Sequence, residues 1–272
     1  EWQAKLKKIA EDKGLTFFSS PFDKEAVDFL EDLKVPIYKI ASLEIVDISL
    51  IEYCAKKNKP MIISTGVASI EDIELAIQTC HRVGNTDITL LKCTSEYPAK
   101  ISDANLLTIP DMKKKFSCNV GLSDHTPGIG VAIAAVANGA TVIEKHFILE
   151  KKVGGYDASF SLDEEEFKQM VNAVREAELS LGNVDYTLTE KQILGRQSSR
   201  SLYISRDVKS GEIVTNNNLR YIIPMNNETG LIMISYTDDV YTKIWKKHEN
   251  NEIRRAVLPT RRNLYRFHRQ SG

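Results

Sequence analysis

The sequence predicts an α/β protein built as a (β/α)8 TIM barrel that lacks its first two units, and three observations carry this. Six short apolar runs recur at a spacing of roughly 20 to 30 residues with helix-like stretches between them, the rhythm of a βα unit. These runs are Leu15–Ser20, Ile37–Ser42, Met61–Gly66, Ile88–Ser95, Asn119–His125 and Thr141–Phe147, and nearly every one ends in a small polar residue or a histidine. A closed barrel needs about eight strands, and the chain opens directly in a charged helical stretch, Glu1–Gly14. An open sheet of another topology is the alternative, and it leaves two edges to be covered.

Taken in order, the helical opening does not resemble a signal peptide. Ser69-Ile-Glu-Asp72 is a capping-box start for the helix that holds Ile73, Ala76 and Ile77, and Ser161-Leu-Asp-Glu164 starts a longer one. In the longer helix Phe167, Met170, Val171, Val174 and Leu181 make an apolar stripe suited to packing outside a barrel. The barrel is expected to occupy residues 1–182, and a polar linker residues 183–198. A second, smaller domain opens at 199–224 with Arg200-Ser-Leu-Tyr-Ile204, a turn at Lys209-Ser-Gly211 and an asparagine-rich helix start at Thr215–Asn218. Residues 225–272 carry no motif and a basic bias from Arg254, Arg255, Arg261 and Arg262; a frameshifted end, a fusion or an unrelated tail each fit.

The composition suits a cytoplasmic enzyme. Thirty-six Lys and Arg against 37 Asp and Glu give a net charge of −1, which argues against nucleic acid as a partner of the barrel. No apolar run is long enough for a membrane span. Cys54, Cys80, Cys93 and Cys118 show neither CxxC spacing nor a dense framework, so they read as reduced, and Cys93, inside an apolar strand, reads as a small buried hydrophobe.

In a barrel the C-terminal strand ends form the active-site mouth. Ser20, Lys39 with Ser42, Ser64, Lys92 with Ser95, Ser123 with His125, and Glu144 with His146 are then expected to converge on one pocket. Imidazoles from neighbouring strands, His125 and His146, can share a metal with open positions for water and a carbonyl oxygen. Two histidines hydrogen-bonded near the mouth are the competing reading. His81, His248 and His268 have no such setting and read as surface groups.

Several motifs together resemble the nonulosonic acid (sialic acid) synthase family. They are Lys39-Ile-Ala-Ser42, Ser64-Thr-Gly66, Lys92-Cys-Thr-Ser-Glu-Tyr-Pro98, Gly121-Leu-Ser-Asp-His-Thr126, Gly128-Ile-Gly130, Ile143-Glu-Lys-His-Phe147, Gly154-Gly-Tyr-Asp157 and Phe160-Ser-Leu162. The resemblance runs from about the first residue to Pro224. Glu-Lys-His-Phe and the Gly-Gly-x-Asp loop are more similar to the pseudaminic acid branch than to the N-acetylneuraminate branch, which tends to have Gly-Pro-Asp-His.

The resemblance implies a barrel followed by an antifreeze-like (SAF) domain, working as a domain-swapped homodimer. It implies a transferase that condenses phosphoenolpyruvate with an open-chain acetamido sugar, a diacetamido-trideoxy altrose in the pseudaminic branch, to give pseudaminic acid and phosphate. N-acetylneuraminate or legionaminate synthesis is the alternative; a phosphate-binding barrel aldolase or an inactive truncated remnant is a further one. A divalent metal, Mn2+ or Mg2+, is implied, held by His125 and His146. Lys39, Ser42, Ser64 and Ser123 match phosphoenolpyruvate-binding positions, each serine being otherwise a strand-end or capping residue. Glu144, on the same side of its strand as His146, is the candidate acid or base at the sugar aldehyde, with orientation of the metal site as the other role. Ser95 is expected among the substrate contacts, and Tyr97 and Asp157 at the sugar, although Asp157 also suits a turn and Tyr97 ordinary packing. Arg200 matches the arginine that reaches into the partner subunit's barrel. A chain lacking the first two units is expected to turn over poorly and to aggregate.

Overall fold

The computed structural model describes residues 2–196, 199–207, 213 and 215–222. The chain divides into two compact units, Glu1–Asn183 and Val184–Gly272.

The first unit alternates helices and strands. Helices α1 (Trp2–Asp12) and α2 (Lys24–Asp32) precede β1 (Tyr38–Ile40), α3 (Ile48–Ala55), β2 (Met61–Ser64), α4 (Ile70–Arg82) and β3 (Ile88–Cys93). Then come α5 (Thr108–Phe116), β4 (Asn119–Asp124), α6 (Gly130–Ala137), β5 (Val142–Lys145) and α7 (Glu164–Leu181). The five strands form one parallel sheet in the order β1-β2-β3-β4-β5. Strand order that follows chain order without reversal is barrel winding; a doubly wound sheet would reverse direction part-way. The result is an α/β half-barrel.

The strands are short and apolar because parallel strands with helices packed on them are buried on both faces. Tyr38, Ile40, Ile63 and Leu90 are fully enclosed, and the helices contribute Val27, Ile51, Ala76, Ile109 and Ala135 to the same core. Gly121 is where β4 meets its neighbours most tightly: a Cβ there would lie 2.4 Å from the Val142 carbonyl oxygen and 2.6 Å from Leu91 Cδ2. The box of Ser69 and Asp72 caps α4 as expected, with Ile73, Ala76 and Ile77 buried.

Some expectations need correction. The first run, Leu15–Ser20, is no strand but a single parallel bridge, Ser19 to Tyr38. It lies at the sheet edge, where no ladder holds its other side, and Pro21 ends it without an amide proton. Helix α7 starts from Asp163 with Glu166, not from Ser161, whose hydroxyl instead donates to the Asp157 carbonyl at 2.7 Å. Its stripe is also narrower than expected: Met170, Phe167 and Val174 pack with Ala132 and Leu162, whereas Val171 and Leu181 face solvent.

In the second unit the stretch read as a polar linker carries a helix, α8 (Glu190–Arg196). Thr189 and Gln192 cap it reciprocally at 2.8 and 3.3 Å, a signal present in the sequence but not read there. Strands β6 (Ser201–Ile204) and β7 (Leu219–Ile222) pair antiparallel. The expected helix start at Thr215–Asn218 is a turn into β7. There the Thr215 amide donates to Asn218 Oδ1 at 2.7 Å and Asn218 Nδ2 donates to the Ile213 carbonyl at 3.2 Å, so the side chain closes a turn in place of a helical hydrogen bond. The turn at Lys209–Gly211 and the tail 225–272 lie outside the described residues.

Candidate active site

Lys39 reveals the curvature of the sheet. Its Nζ donates to Ser64 Oγ at 2.8 Å and to the Ile40 carbonyl at 3.0 Å, and it lies 3.6 Å from Glu144 Oε2. Ser123 Oγ donates to the other carboxylate oxygen at 2.6 Å. Lys39 is on β1 and Glu144 on β5; in a flat sheet four inter-strand spacings would put those strands about 19 Å apart. Their side chains meet only because the sheet curls, and the curl gathers one chain of polar groups from four strands over its concave side. Burial lowers the Lys39 pKa, and the nearby Glu144 and Cys93 only partly offset it.

A second group sits beside this chain. The Gly66 amide donates to Ser42 Oγ at 3.1 Å, and Cys93 Sγ lies 3.7 Å from Ser95 Oγ and 3.8 Å from His125 Nδ1. Cys93 is buried as expected, yet its surroundings are polar, which corrects its reading as a plain hydrophobe. Burial pushes its thiol up, but His125, Ser42 and Ser95 outweigh burial and bring the pKa down to about 7. For His125 burial opposes the charged form, while Cys93, the Thr94 carbonyl and Glu144 together raise its pKa.

The two imidazoles are adjacent, with ring centroids 5.2 Å apart. His125 Nδ1 faces the Thr94 carbonyl oxygen at 2.9 Å, and His146 Nδ1 faces Asp157 Oδ2 at 3.3 Å. An oxygen acceptor at Nδ1 selects the Nδ1–H tautomer and leaves the Nε2 lone pair for a ligand. Burial and the neighbouring His125 lower the His146 pKa, against Asp157 and Glu144. The donor set therefore fits a divalent cation with two imidazole ligands. Among the described residues no group of three or more His, Cys, Asp or Glu is arranged to hold a metal.

Tyr97 and Phe160 wall this corner. The Tyr97 ring is 4.3 Å from that of His125 and 5.9 Å from that of Phe160, which in turn is 4.9 Å from His146. The structure thus joins Lys39, Ser64, Ser123 and Glu144 in one chain of two hydrogen bonds and the Lys39–Glu144 ion pair. Ser42 and Ser95 lie beside Cys93, and Tyr97, His125, His146 and Asp157 form the third cluster. Lys92 donates to Thr94 Oγ1 at 2.8 Å and to the Cys93 carbonyl at 3.1 Å. Arg200 is exposed in the second unit. Sequence reasoning assigned no site role to Cys93, Thr94 or Phe160, although all three stand within the quoted motifs Lys92-Cys-Thr-Ser-Glu-Tyr-Pro98 and Phe160-Ser-Leu162.

The NeuB family model matches residues 1–186. The chain is 45% identical over 225 residues to pseudaminic acid synthase of Helicobacter pylori, covering 82% of this chain and 66% of that protein. It is 37% identical over 238 residues to N,N'-diacetyllegionaminic acid synthase of Campylobacter jejuni, covering 86% of this chain and 71% of that protein. The crystal structure of N-acetylneuraminic acid (sialic acid) synthetase from Leptospira borgpetersenii superposes with a TM-score of 0.67 at 33% identity, covering 72% of this chain and 69% of that one. The chain spans a little under two thirds of the Helicobacter pylori protein.

Proposed function

The chain belongs to the NeuB family, and from that premise we propose that it is a nonulosonic acid synthase of the pseudaminic type. The reaction joins phosphoenolpyruvate to an open-chain diacetamido-trideoxy altrose and releases phosphate. The observation that carries this reading is the pair of imidazoles with occupied Nδ1 atoms, set beside the chain Lys39–Ser64 and Ser123–Glu144. The preference for the pseudaminic sugar is supported by the higher identity to the pseudaminic relative than to the legionaminic one.

Phosphoenolpyruvate brings a phosphate and a carboxylate, which call for a cation and short hydroxyl donors. Lys39, Ser42, Ser64 and Ser123 supply them. Ser95 and Tyr97 bound the sugar side, and Asp157, whose carboxylate faces His146, reaches the sugar from the rim. His125 and His146 would hold Mn2+ or Mg2+, which when bound supplies Lewis-acid polarisation of the sugar carbonyl. The methylene carbon of phosphoenolpyruvate forms a bond to the aldehyde carbon, whose oxygen takes up a proton. Glu144, within hydrogen-bond reach of Ser123, is the group placed to move that proton. Water adds at the adjacent carbon, and the tetrahedral intermediate loses phosphate by C–O cleavage. The whole enzyme in this reading is an eight-stranded barrel with residues 199–224 in an antifreeze-like domain. It works as a domain-swapped homodimer in which Arg200 serves the partner subunit's sugar site.

Phosphoenolpyruvate titration of the chain and of Lys39→Met tests the reading. A charged hydrogen bond contributes about 1.5–3 kcal/mol, so affinity is expected to fall roughly 10- to 150-fold. Any turnover releases one phosphate per phosphoenolpyruvate consumed, and fastest with the altrose-configured sugar. Equal phosphoenolpyruvate affinity in both proteins refutes the assignment, and preference for another acetamido sugar moves the chain to the legionaminic or neuraminic branch.

A further inference from the structure

We propose that the buried ion pair Asp124–Lys145 is a positioning device that fixes the separation of His125 and His146, and with it the affinity of the two-imidazole site for a divalent cation. This rests on the metal reading above. Asp124 and Lys145 are register partners on β4 and β5, and each immediately precedes one of the histidines. Their side chains are 1% and 0% exposed, and Nζ lies 2.8 Å from Oδ2. Strand alternation sets them on the face opposite Ser123 and Glu144.

The pair sits at the end of a ladder. Pairing of β4 with β5 stops at Asp124 and Lys145, and the residues beyond turn to different neighbours. The His125 carbonyl accepts from the Ala99 amide at 3.0 Å, and the His146 carbonyl accepts from the Leu162 amide at 2.9 Å. The last link between the two histidine-bearing segments is therefore the ion pair, and Thr126 extends it. Asp124 Oδ1 accepts from the Thr126 amide at 2.9 Å and from its hydroxyl at 2.7 Å, while Lys145 Nζ donates to the Thr126 carbonyl. His125 is thus flanked on both sides by residues tied to the strand that carries His146. A buried pair of this kind adds little net stability over apolar side chains of similar volume; what it adds here is a fixed geometry behind the two rings.

The test is Mn2+ titration, followed by the electron paramagnetic resonance of the free ion, on the 272-residue chain, on His125→Ala and on the double variant Asp124→Leu/Lys145→Met. The double variant removes both charges together and so avoids stranding one of them. Residues that orient metal ligands typically contribute 10- to 100-fold in affinity, and that loss is expected with circular dichroism and melting temperature little changed. Asp124→Asn/Lys145→Met, which strands no charge and keeps an acceptor for Thr126, is the second variant should the first double one fail to fold, and it is expected to lose affinity in the same direction. Parental affinity in the folded variants would overturn the proposal while leaving the metal reading in place. Parental affinity in His125→Ala as well overturns both.

Discussion

Gly66 is the position where one methyl group should do the most measurable damage. A Cβ on Gly66 would stand 2.1 Å from Ser95 Oγ, 2.9 Å from Cys93 Sγ and 2.9 Å from Ser42 Oγ. Ser95 Oγ would have to retreat by about 1.3 Å to reach ordinary contact at 3.4 Å, and the other two by about half an ångström. Ser42 and Cys93 are buried, and Ser42 Oγ already accepts the Gly66 amide, so neither has free space to move into. Overpacking of this kind costs about 1–3 kcal/mol. In a unit of this size each kcal/mol moves the melting temperature by about 2–4 °C. Gly66→Ala is therefore expected to melt roughly 2–12 °C lower by differential scanning calorimetry. Adding Ser95→Ala removes the nearest contact and should recover part of the loss. Ser42 is a proposed phosphoenolpyruvate contact, so affinity for phosphoenolpyruvate should weaken too. A Gly66→Ala protein that melts at the parental temperature would show that this corner is looser than the distances say.

Two further predictions concern titrating groups. Glu31 Oε1 accepts from Tyr38 Oη and from Lys59 Nζ, each at 2.5 Å. Burial opposes the Glu31 charge, but Lys59 and Tyr38 outweigh it and hold the pKa below its ordinary 4.5. A depressed carboxylate stabilises the fold above its unfolded pKa and loses that contribution as pH falls through the folded value. Glu31→Gln should thus cost about 1 kcal/mol near pH 7 in urea unfolding and less in acid, where the parent protonates as well; an equal cost at both ends refutes the charge as the cause. For the cysteines, the ultraviolet absorbance of thiolate should show one group titrating near pH 7 that Cys93→Ser removes, since Cys54 and Cys80 are pushed by burial to about 12 and about 11. A titration that survives in Cys93→Ser contradicts the assignment.

Much of this protein is written in local sequence. Apolar runs such as Met61–Ser64 and Ile88–Cys93 became strands, and the box of Ser69 and Asp72 opened a helix, because both signals act within a few residues. The site residues were legible for the same reason: Lys39, Ser64, Ser123, Glu144 and His146 each fall at or just past the end of an apolar run. Their partnerships were not legible. That Lys39 meets Glu144 across five strands, that Asp157 turns to His146, and that Cys93 lies among polar groups all depend on how far the sheet curls and how its loops fold back. The failure of Leu15–Ser20 to form more than one bridge has a similar cause, since a run at the sheet edge has the propensity of a strand but a neighbour on only one side. Sequence determined which residues stand at the strand ends, because side-chain period and capping are properties of neighbouring residues. Only the tertiary structure decided which of them touch, because those contacts join residues up to about a hundred positions apart through the curvature of the whole sheet.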